Sequence, residues 1–303
     1  MKVLVTGGSG FIGQYCLAQL HAKNYEVHAV SSVPRATTSA VQWHHASLLD
    51  IAQIRALVRT VKPSHLLHLA WYTKHGKYWT APENLNWVQG SLALLQEFTE
   101  SGGERLVVAG TCAEYDWSHG ICLEGQTPLV PATLYGAYKH ALQLMLRSWC
   151  QQNGLSSAWG RVFSLYGPGE HPDRLVASVI RALLRGQVAT CGNAGFVRDY
   201  SHAEDVASAF VATLESQLEG PVNIGSGDAI KLGDIVEKIA TKLNVPDLVK
   251  FRAPPSVPNS EPEVLLPDIT RLISTGWKKK FELDEGLDDT IDWWRRQTSR
   301  VGA

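Results

Sequence analysis

The sequence predicts an α/β fold, a Rossmann-type doubly wound parallel sheet with a smaller α/β C-terminal lobe. Three observations support this prediction. A glycine-rich turn separates the first apolar run from the first helical pattern, strand and helix patterns alternate through the first half, and the strand patterns are continuous apolar runs. Continuous apolar runs indicate strands buried on both faces, as in a parallel sheet with helices on each side.

Each element of the first half is predicted by its apolar spacing. Short apolar runs predict strands at 3–6, 26–31, 66–70 and 106–109. Apolar residues three and four apart predict helices at 12–23, 50–61, 86–101 and 135–152. Because strands alternate with helices, we expect the strands to pair in parallel.

The second half is less regular and is predicted to contain the smaller lobe. Its helical patterns lie at 174–185, 205–215, 231–243 and 284–296, and its turn-rich loops at 166–172 and 253–262. We expect the main domain to comprise residues 1–164, with 197–226 returning to it. The lobe should comprise 165–196 and 227–303, with a cleft between the two.

The composition of the 303-residue chain excludes several classes of protein. A formal net charge of −1 offers no attraction to nucleic acid or an anionic membrane, and no apolar run approaches the roughly 18 residues that span a bilayer. The five cysteines form no Cys-x-x-Cys pair, which favours reduced thiols in a cytoplasmic protein. A strand begins near the N-terminus, so we expect no signal peptide there. The histidines show no metal-ligand spacing, and we expect no metal.

Gly7, Gly10 and Gly13 follow the first predicted strand directly and precede a helical pattern. Glycines at this spacing permit a tight turn and let backbone N–H groups approach a pyrophosphate at the N-terminus of the helix. The alternative is a turn that needs glycine only for a positive φ. Because this turn lies between a strand and a helix, we favour a dinucleotide-binding turn.

The end of the second predicted strand indicates which dinucleotide is bound. An acidic residue there would bind a ribose 2′-hydroxyl and repel a 2′-phosphate. The chain has Ser31, Ser32 and Arg35 instead, two hydroxyls and a cation that can pair with phosphate. We therefore expect NADP(H) to be favoured over NAD(H). The alternative is a solvated Arg35 and no selectivity.

Tyr135 and Lys139 lie four residues apart in a predicted helix, so that the phenol and the ammonium share one face. This spacing is common by itself. In a chain that opens with a dinucleotide-binding turn, it suggests hydride chemistry on a carbonyl or an alcohol.

In their order along the chain, these motifs resemble those of the extended short-chain dehydrogenase/reductases. The resemblance is to the branch of NAD(P)-dependent sugar-nucleotide epimerases, dehydratases and reductases, and it runs nearly end to end. It is carried by Thr-Gly-Gly-Ser-Gly-Phe-Ile-Gly at 6–13, His-Leu-Ala at 68–70, Tyr-Gly-Ala-Tyr-Lys at 135–139, Arg-Val-Phe-Ser-Leu-Tyr-Gly-Pro at 161–168, Arg-Asp-Tyr-Ser-His-Ala-Glu-Asp-Val at 198–206 and Asn-Ile-Gly-Ser-Gly at 223–227.

The resemblance implies roles for three catalytic residues. Tyr135 would be the acid/base group, and Lys139 would hold the nicotinamide ribose and lower the pKa of the tyrosine. Thr111, four residues before a tyrosine, would hydrogen-bond the reacting oxygen. The family pattern places further cofactor contacts at Phe11, Ile12, Ser47, Leu48, Leu69 and Ala70.

The resemblance also implies substrate-binding residues. Arg198 lies where the family uses an arginine on the phosphates of the sugar nucleotide, with a surface pair to Asp199 or Asp205 as the alternative. Arg174 is a second phosphate candidate. Asp268 lies in a loop that some relatives use near the substrate, and Ser164 replaces the family's asparagine.

An aromatic segment follows the strand predicted at 66–70. For His68 in this strand, bonding to the backbone is more plausible than catalysis. The aromatic and imidazole rings of the segment could stack on a sugar or a base, or they could pack a longer loop. The segment carries the predicted substrate contacts Trp71, Tyr72, His75 and Trp79.

Departures from the family pattern narrow the reaction. Dehydratases of the family carry an acidic pair directly after the threonine, where this chain has Cys112 and Ala113. Glu114 comes one residue later and would point to the other side if the segment stays extended. Trp87 stands where an asparagine is expected in the helix at 86–101.

The leading hypothesis is an NADP(H)-dependent reductase of a nucleotide-linked 4-keto(-6-deoxy) sugar. An NDP-sugar epimerase with bound NAD is the alternative within the family. A reductase of a non-nucleotide carbonyl compound and a non-catalytic dinucleotide-binding protein also remain open. A homodimer is expected, because relatives pair the helices at 86–101 and 135–152. Apolar residues that could serve that interface or the core are Leu142, Met145, Leu146 and Trp149.

Overall fold

The computed structural model describes residues 1–252 and 261–301. Its strands, in chain order, are β1 (Lys2–Thr6), β2 (Glu26–Ser31), β3 (Gln42–His45), β4 (His65–His68), β5 (Arg105–Thr111), β6 (Ile121–Cys122), β7 (Ser156–Val162), β8 (Ser164–Tyr166), β9 (Ala189–Cys191), β10 (Val197–His202), β11 (Gly220–Ile224), β12 (Ala229–Lys231), β13 (Val249–Phe251) and β14 (Val264–Pro267). Its helices are α1 (Gly13–Ala22), α2 (Ile51–Val61), α3 (Glu83–Glu100), α4 (Leu134–Asn153), α5 (Leu175–Leu184), α6 (Ala203–Glu215), α7 (Leu232–Lys242), α8 (Thr270–Ile273) and α9 (Leu283–Val301).

Seven parallel strands form the main sheet, in the order β11-β7-β5-β4-β1-β2-β3. From β1 the chain builds outward to β3, then crosses back and continues from β4 on the other side. The strand order therefore reverses between β1 and β4. In open α/β sheets, ligands bind at the carboxyl ends of the strands at such a reversal.

Apolar residues of the central strands are buried on both faces of the sheet. Val3 and Val5 face one core, which α1 and α6 complete. Leu4, between them, faces a second core shared with α2, α3 and α4. The predicted Rossmann-type doubly wound sheet is thereby confirmed, and its continuous apolar runs have the predicted cause.

Several element boundaries differ from the predictions; the closing helix, for example, continues to Val301 and not only to position 296. The strand predicted at 66–70 ends at His68, because the Ala70 N–H donates to the Thr6 hydroxyl, at 3.1 Å, instead of continuing the ladder. The helix predicted at 86–101 begins earlier, at Glu83, directly after Pro82.

The smaller lobe contains a sheet in the order β12-β10-β14-β6, with β8 paired to β10, and a separate pair, β13 and β9. Helices α5, α7 and α9 enclose its own apolar core. Within 197–226, α6 packs on α1 and β11 completes the main sheet, whereas β10 belongs to the smaller sheet. The loop predicted at 253–262 lies outside the described residues up to position 260. None of the helices in the described ranges has the length and apolarity to cross a membrane.

Candidate active site

The glycine-rich turn after β1 is shaped by close backbone approaches. Gly7 has a φ of +69°, and its carbonyl accepts the Gly10 N–H at 2.9 Å. A Cβ at Gly13 would lie 2.1 Å from the Gly7 oxygen, so only glycine fits there. No side chain caps the N-terminus of α1. An uncapped helix N-terminus behind a glycine turn fits the pyrophosphate of a dinucleotide.

Further predicted cofactor residues follow β4 and β3. Leu69 and Ala70 touch the turn, since a Cβ on Gly7 would meet the Ala70 nitrogen at 2.8 Å. Ser47 and Leu48 follow β3. The Ser47 hydroxyl accepts the Leu49 N–H at 3.2 Å, and Leu48 is buried. Phe11 and Ile12 lie in the turn itself, half-buried.

The end of β2 presents two hydroxyls and a stacked guanidinium. The Ser31 hydroxyl accepts the Val33 N–H at 3.1 Å, and Ser32 is exposed beside it. Arg35 lies over the Trp43 ring, 5.2 Å from its centroid. Nothing in the local sequence marks Trp43, which reaches Arg35 from the neighbouring strand β3. The guanidinium is thus held at the strand end while remaining exposed.

Thr111, Tyr135 and Lys139 are brought together at the carboxyl end of β5. Thr111 ends the strand, and its hydroxyl faces the Tyr135 phenol, on whose pKa it acts. The buried Lys139 Nζ donates to the Ala109 carbonyl at 2.8 Å. Helix α4 packs so closely here that a Cβ on Gly136 would lie 2.1 Å from the Ala113 oxygen.

Burial determines the protonation of Tyr135 and Lys139. It raises the pKa of the Tyr135 phenol, and Tyr78 adds to the rise, while the nearby Thr111 hydroxyl opposes it. Burial also lowers the pKa of Lys139 to about 7, and the Glu114 carboxylate opposes this fall. The resemblance implies a lowered pKa for Tyr135, but the pKa is raised, because desolvation by burial is its largest cause. Tyr135 is a protonated phenol at neutral pH, the form that donates a proton.

The segment after Thr111 is not extended, so Glu114 does not have the orientation that an extended segment would give it. Residues Cys112–Glu114 form a 3-10 turn capped by the Thr111 hydroxyl, which accepts the Ala113 N–H at 3.2 Å. The turn carries the Glu114 side chain into the protein, where it is fully buried. Burial raises the pKa of the Cys112 thiol to about 12, so that it is neutral.

Trp71 turns inward from the aromatic segment. It is buried, its Nε1–H donates to the Asn84 Oδ1 at 2.7 Å, and its ring lies 3.8 Å from the Lys139 Nζ. Trp87 packs beside it, with the ring centroids 6.3 Å apart. Within this segment, Trp71 therefore packs in the core against Lys139.

The rest of the segment lies over Tyr135 and reaches the smaller lobe. The Trp79 ring is edge-on to Tyr135, with centroids 5.7 Å apart, and Tyr72 is half-buried. His75 stacks on His171 of the loop before α5, at 4.7 Å. These contacts place two of the four predicted residues, His75 and Trp79, along one wall.

Tyr78 is a residue of this wall that no sequence motif marks. Its ring is edge-on to Tyr135, and its hydroxyl faces the guanidinium of Arg174, which precedes α5. Burial raises the pKa of Tyr78 to about 12, so its hydroxyl keeps its proton. Tyr78 can be identified as a site residue only from the structure, because its neighbours Tyr135 and Arg174 are distant from it in the sequence.

Arg198 is buried and bonds backbone. Its guanidinium donates to the carbonyls of Val197, at 2.9 Å, Pro262, at 2.7 Å, and Glu263, at 3.2 Å. The alternative pairs are not formed: Asp199 accepts from Ser226 and Gly227, and Asp205 from the N–H groups of Lys280 and Phe281.

The two remaining predicted substrate residues lie in the smaller lobe's framework. Ser164 is half-buried in β8, opposite Tyr200 of β10. The Asp268 Oδ1 accepts the Thr270 N–H at 2.9 Å at the start of α8.

His68 bonds side chains rather than the backbone that the sequence suggests. Its imidazole joins the Thr6 hydroxyl, at 2.7 Å, to the Ser91 hydroxyl, at 2.8 Å. In the described ranges, no three His, Cys, Asp or Glu side chains group in a way that could hold a metal.

The doubly wound sheet, the glycine turn and the threonine, tyrosine and lysine at the end of β5 define a dinucleotide-dependent enzyme. Residues 3–225 match the model of the NAD dependent epimerase/dehydratase family, and the chain belongs to this family. Its members are enzymes of the extended short-chain dehydrogenase/reductase type and include nucleotide-sugar epimerases, dehydratases and reductases.

Relatives with different reactions match almost the whole chain. The UDP-glucose 4-epimerase of Rhizobium leguminosarum bv. trifolii is 26% identical over 322 residues, covering 96% of each chain. The dTDP-4-dehydro-6-deoxyglucose reductase of Escherichia coli is 25% identical over 307 residues, covering 95% of this chain and 96% of that one. Among solved structures, the UDP-glucose 4-epimerase of Thermus thermophilus in complex with NAD is 27% identical, with a TM-score of 0.81 over 97% of this chain and 99% of that chain.

Proposed function

We propose that this protein is an NADP(H)-dependent reductase of a nucleotide-linked 4-keto(-6-deoxy) sugar. The observation that carries the proposal is the protonated Tyr135 beside the Thr111 hydroxyl, followed by a turn in which Cys112 and Ala113 replace the acidic pair of a dehydratase. A site with a proton donor and no such pair suits reduction of a carbonyl better than elimination of water.

The chain's own groups have separate tasks in this reaction. When bound, the nicotinamide supplies the hydride. Thr111 donates a hydrogen bond to the carbonyl oxygen as charge develops there, and Tyr135 donates its proton to the same oxygen. Lys139 orients the nicotinamide ribose. The uncapped turn before α1 holds the pyrophosphate through its backbone N–H groups, including those of Phe11 and Ile12.

The preference for NADP(H) rests on the end of β2. Arg35, stacked on Trp43, is exposed and can pair with a 2′-phosphate, and the Ser31 and Ser32 hydroxyls can donate to it. No carboxylate is present between positions 31 and 35 to repel that charge. Ser47, Leu48, Leu69 and Ala70 complete the proposed cofactor site.

The substrate is proposed to lie between Tyr135 and the smaller lobe. The wall formed by His75, Tyr78 and Trp79 offers ring faces and edges to a sugar, with Tyr72 proposed as a further contact, and Trp71 packs against Lys139. Arg174 and Arg198 are the proposed phosphate contacts. A guanidinium has five N–H donors, and the three backbone bonds of Arg198 leave its Nε–H and one Nη2–H, the latter with the Glu261 carboxylate 3.9 Å away. Ser164 and Asp268 are proposed to border the sugar.

The second candidate function is an NDP-sugar epimerase with bound NAD. The full-length similarity to UDP-glucose 4-epimerases, one of them solved with NAD, favours it. The two functions differ in redox balance. A reductase consumes reduced cofactor stoichiometrically, whereas an epimerase regenerates its bound NAD and shows no net redox change.

One assay separates the candidates. Nucleotide-linked 4-keto-6-deoxy sugars are incubated with NADPH or NADH, and both cofactor absorbance and sugar products are followed. Stoichiometric consumption of NADPH supports the proposed reductase. Interconversion of sugars without net consumption supports the epimerase. If no nucleotide sugar reacts or shifts the melting temperature, the proposal fails in favour of a non-nucleotide carbonyl substrate.

We further propose a homodimer formed by α3 and α4. Of the four apolar residues expected on α4, Leu142 and Leu146 are buried in the monomer core, Met145 is exposed, and Trp149 is half-buried, with its Nε1–H donating to the Thr99 hydroxyl at 3.0 Å. Leu144 beside it and Leu85 on α3 are exposed as well. Exposed apolar side chains on neighbouring helices suit a helix-bundle interface. The five free thiols support a cytoplasmic location.

A further inference from the structure

The Glu114 carboxylate lies directly behind the proposed reaction centre and binds three neighbours. Its Oε1 accepts the Thr111 backbone N–H at 2.8 Å and the Trp159 Nε1–H at 2.9 Å. Its Oε2 accepts the Arg161 Nε–H at 2.9 Å. Both Glu114 and Arg161 have essentially no exposed side chain, 0% and 1% respectively. The proposed catalytic Thr111 is therefore held through its own backbone by a buried ion pair.

A buried ion pair is a costly way to fill space. Desolvation of the two charges usually cancels their attraction, and an apolar pair of the same volume is often at least as stable. The Arg161 guanidinium has a second buried partner, because its Nη1 donates to the Tyr115 hydroxyl at 3.0 Å. Because desolvation of these charges opposes folding, we infer that Glu114 does more than stabilise the fold.

Lys139 is the proposed catalytic residue whose pKa the charge of Glu114 affects. The Lys139 Nζ donates to the Ala109 carbonyl, on the same strand end, and faces the Trp159 ring at 5.9 Å. That indole donates its N–H to Glu114, so Trp159 lies next to both groups. Among the charged side chains of the described residues, Glu114 is the one that acts on the protonation of Lys139.

We propose that Glu114 is a positioning residue of the active site, which fixes Thr111 at the end of β5 and whose negative charge keeps Lys139 protonated. This inference rests on the proposed role of Lys139 in holding the cofactor ribose. Burial brings the pKa of Lys139 to about 7, close to working pH, and Glu114 opposes that fall. Without Glu114, the lysine would lose its proton at a lower pH.

The other titratable groups around this pair do not replace Glu114. From β4, His68 faces Lys139, but burial lowers the pKa of this imidazole to about 3, so it is neutral. Tyr135 and His140 of α4, Cys112 in the turn and Arg161 of β7 face Glu114. Arg161 is the only one of these charged at neutral pH by its ordinary chemistry, and its charge is positive.

The test is the pKa of Lys139 in a Glu114→Gln variant, read from the Nζ signal of protein labelled with ¹⁵N-lysine and assigned with Lys139→Met. Glutamine keeps the shape and can still accept hydrogen bonds, but it carries no charge. The expected result is a fall of about one pH unit or more in the pKa of Lys139. An unchanged pKa in the folded variant overturns the proposal.

Glu97→Gln is the matched control. Glu97 is also a buried carboxylate paired with an arginine, Arg59, but it lies between α2 and α3. The Arg59 side chain is 65% exposed, so this variant leaves no buried charge unpaired and should lose less stability, while the pKa of Lys139 stays at its wild-type value. An equal fall in both variants would mean a general effect of destabilisation and would overturn the proposal.

If Glu114→Gln does not fold, the double variant Glu114→Gln with Arg161→Met carries the same test, because it leaves no buried charge unpaired. It should also lower the pKa of Lys139. Turnover as a function of pH is measured in parallel, and its alkaline limb should move to lower pH with the lysine. A shifted Lys139 pKa without turnover on any nucleotide sugar in the wild type would refute the proposed function and leave the role of Glu114 intact.

Discussion

The Tyr78 ring stands edge-on to the Tyr135 ring, with centroids 5.1 Å apart and planes at 83°. Because the Tyr78 hydroxyl also faces Arg174 of the smaller lobe, the segment over the proposed catalytic phenol lies next to both parts of the molecule.

Tyr78→Phe should therefore weaken substrate binding more than chemistry. The ring packing is kept, while the hydroxyl that positions Arg174 is removed. We expect KM for the nucleotide sugar to rise roughly five- to tenfold, the size of one hydrogen bond, with kcat within a few-fold. Steady-state kinetics measure this, and cofactor affinity is the control. A loss confined to kcat would contradict the proposed role of Tyr78.

Tyr135→Phe should abolish proton donation without disturbing the fold. We expect turnover to fall at least about 100-fold, the lower range for a general acid. Cofactor binding, followed by fluorescence, should persist. Tyr138→Phe is the matched control, because Tyr138 lies in the same helix motif and is half-buried. Near-normal turnover in Tyr135→Phe would exclude this tyrosine as the acid.

Arg35→Ala should weaken NADPH selectively. Loss of a charge-assisted bond to the 2′-phosphate is expected to raise KM for NADPH about tenfold or more and to leave KM for NADH unchanged. The NADH measurement on the same variant serves as its own control. An equal effect on both cofactors would show that Arg35 does not read the 2′-phosphate.

Lys139→Met should stabilise the protein while removing activity. Burial depresses the pKa of Lys139 in the folded state to about 7. The folded state therefore bears the full cost of the buried charge below about pH 7, and this cost disappears as pH rises towards the ordinary lysine pKa. We expect the variant to gain about 1–3 kcal/mol in unfolding free energy at pH 6, since one pKa unit is about 1.4 kcal/mol, and little at pH 10. A gain that grows with pH would contradict this interpretation.

His68 should contribute an acid-sensitive part of the stability. Its pKa falls from 6.5 to about 3 on burial, so the unfolded chain binds one more proton between these values. Stability from this residue is present above pH 6.5 and is lost as pH falls towards 3. Relative to His68→Gln, the wild type should lose up to about 1.4 kcal/mol per pH unit in this window, measured by urea unfolding. Parallel pH profiles would refute the assignment.

The sequence by itself determined the doubly wound sheet, the glycine turn and the spacing of Tyr135 and Lys139. These features are local, because they depend on apolar periodicity, on glycine conformation and on residues one helical turn apart. Helix α4 and strand β2 accordingly begin and end at, or next to, their predicted residues.

Only the tertiary structure decided what surrounds the proposed reaction centre. The inward turn of Glu114, the backbone bonds of Arg198 and the pairing of Tyr78 with Arg174 join residues distant in the chain. So does the pKa of Lys139, which follows from burial beneath Trp71 and from the charge of Glu114. Desolvation and long-range contacts depend on how the elements pack, and neither periodicity nor spacing along the sequence records that packing.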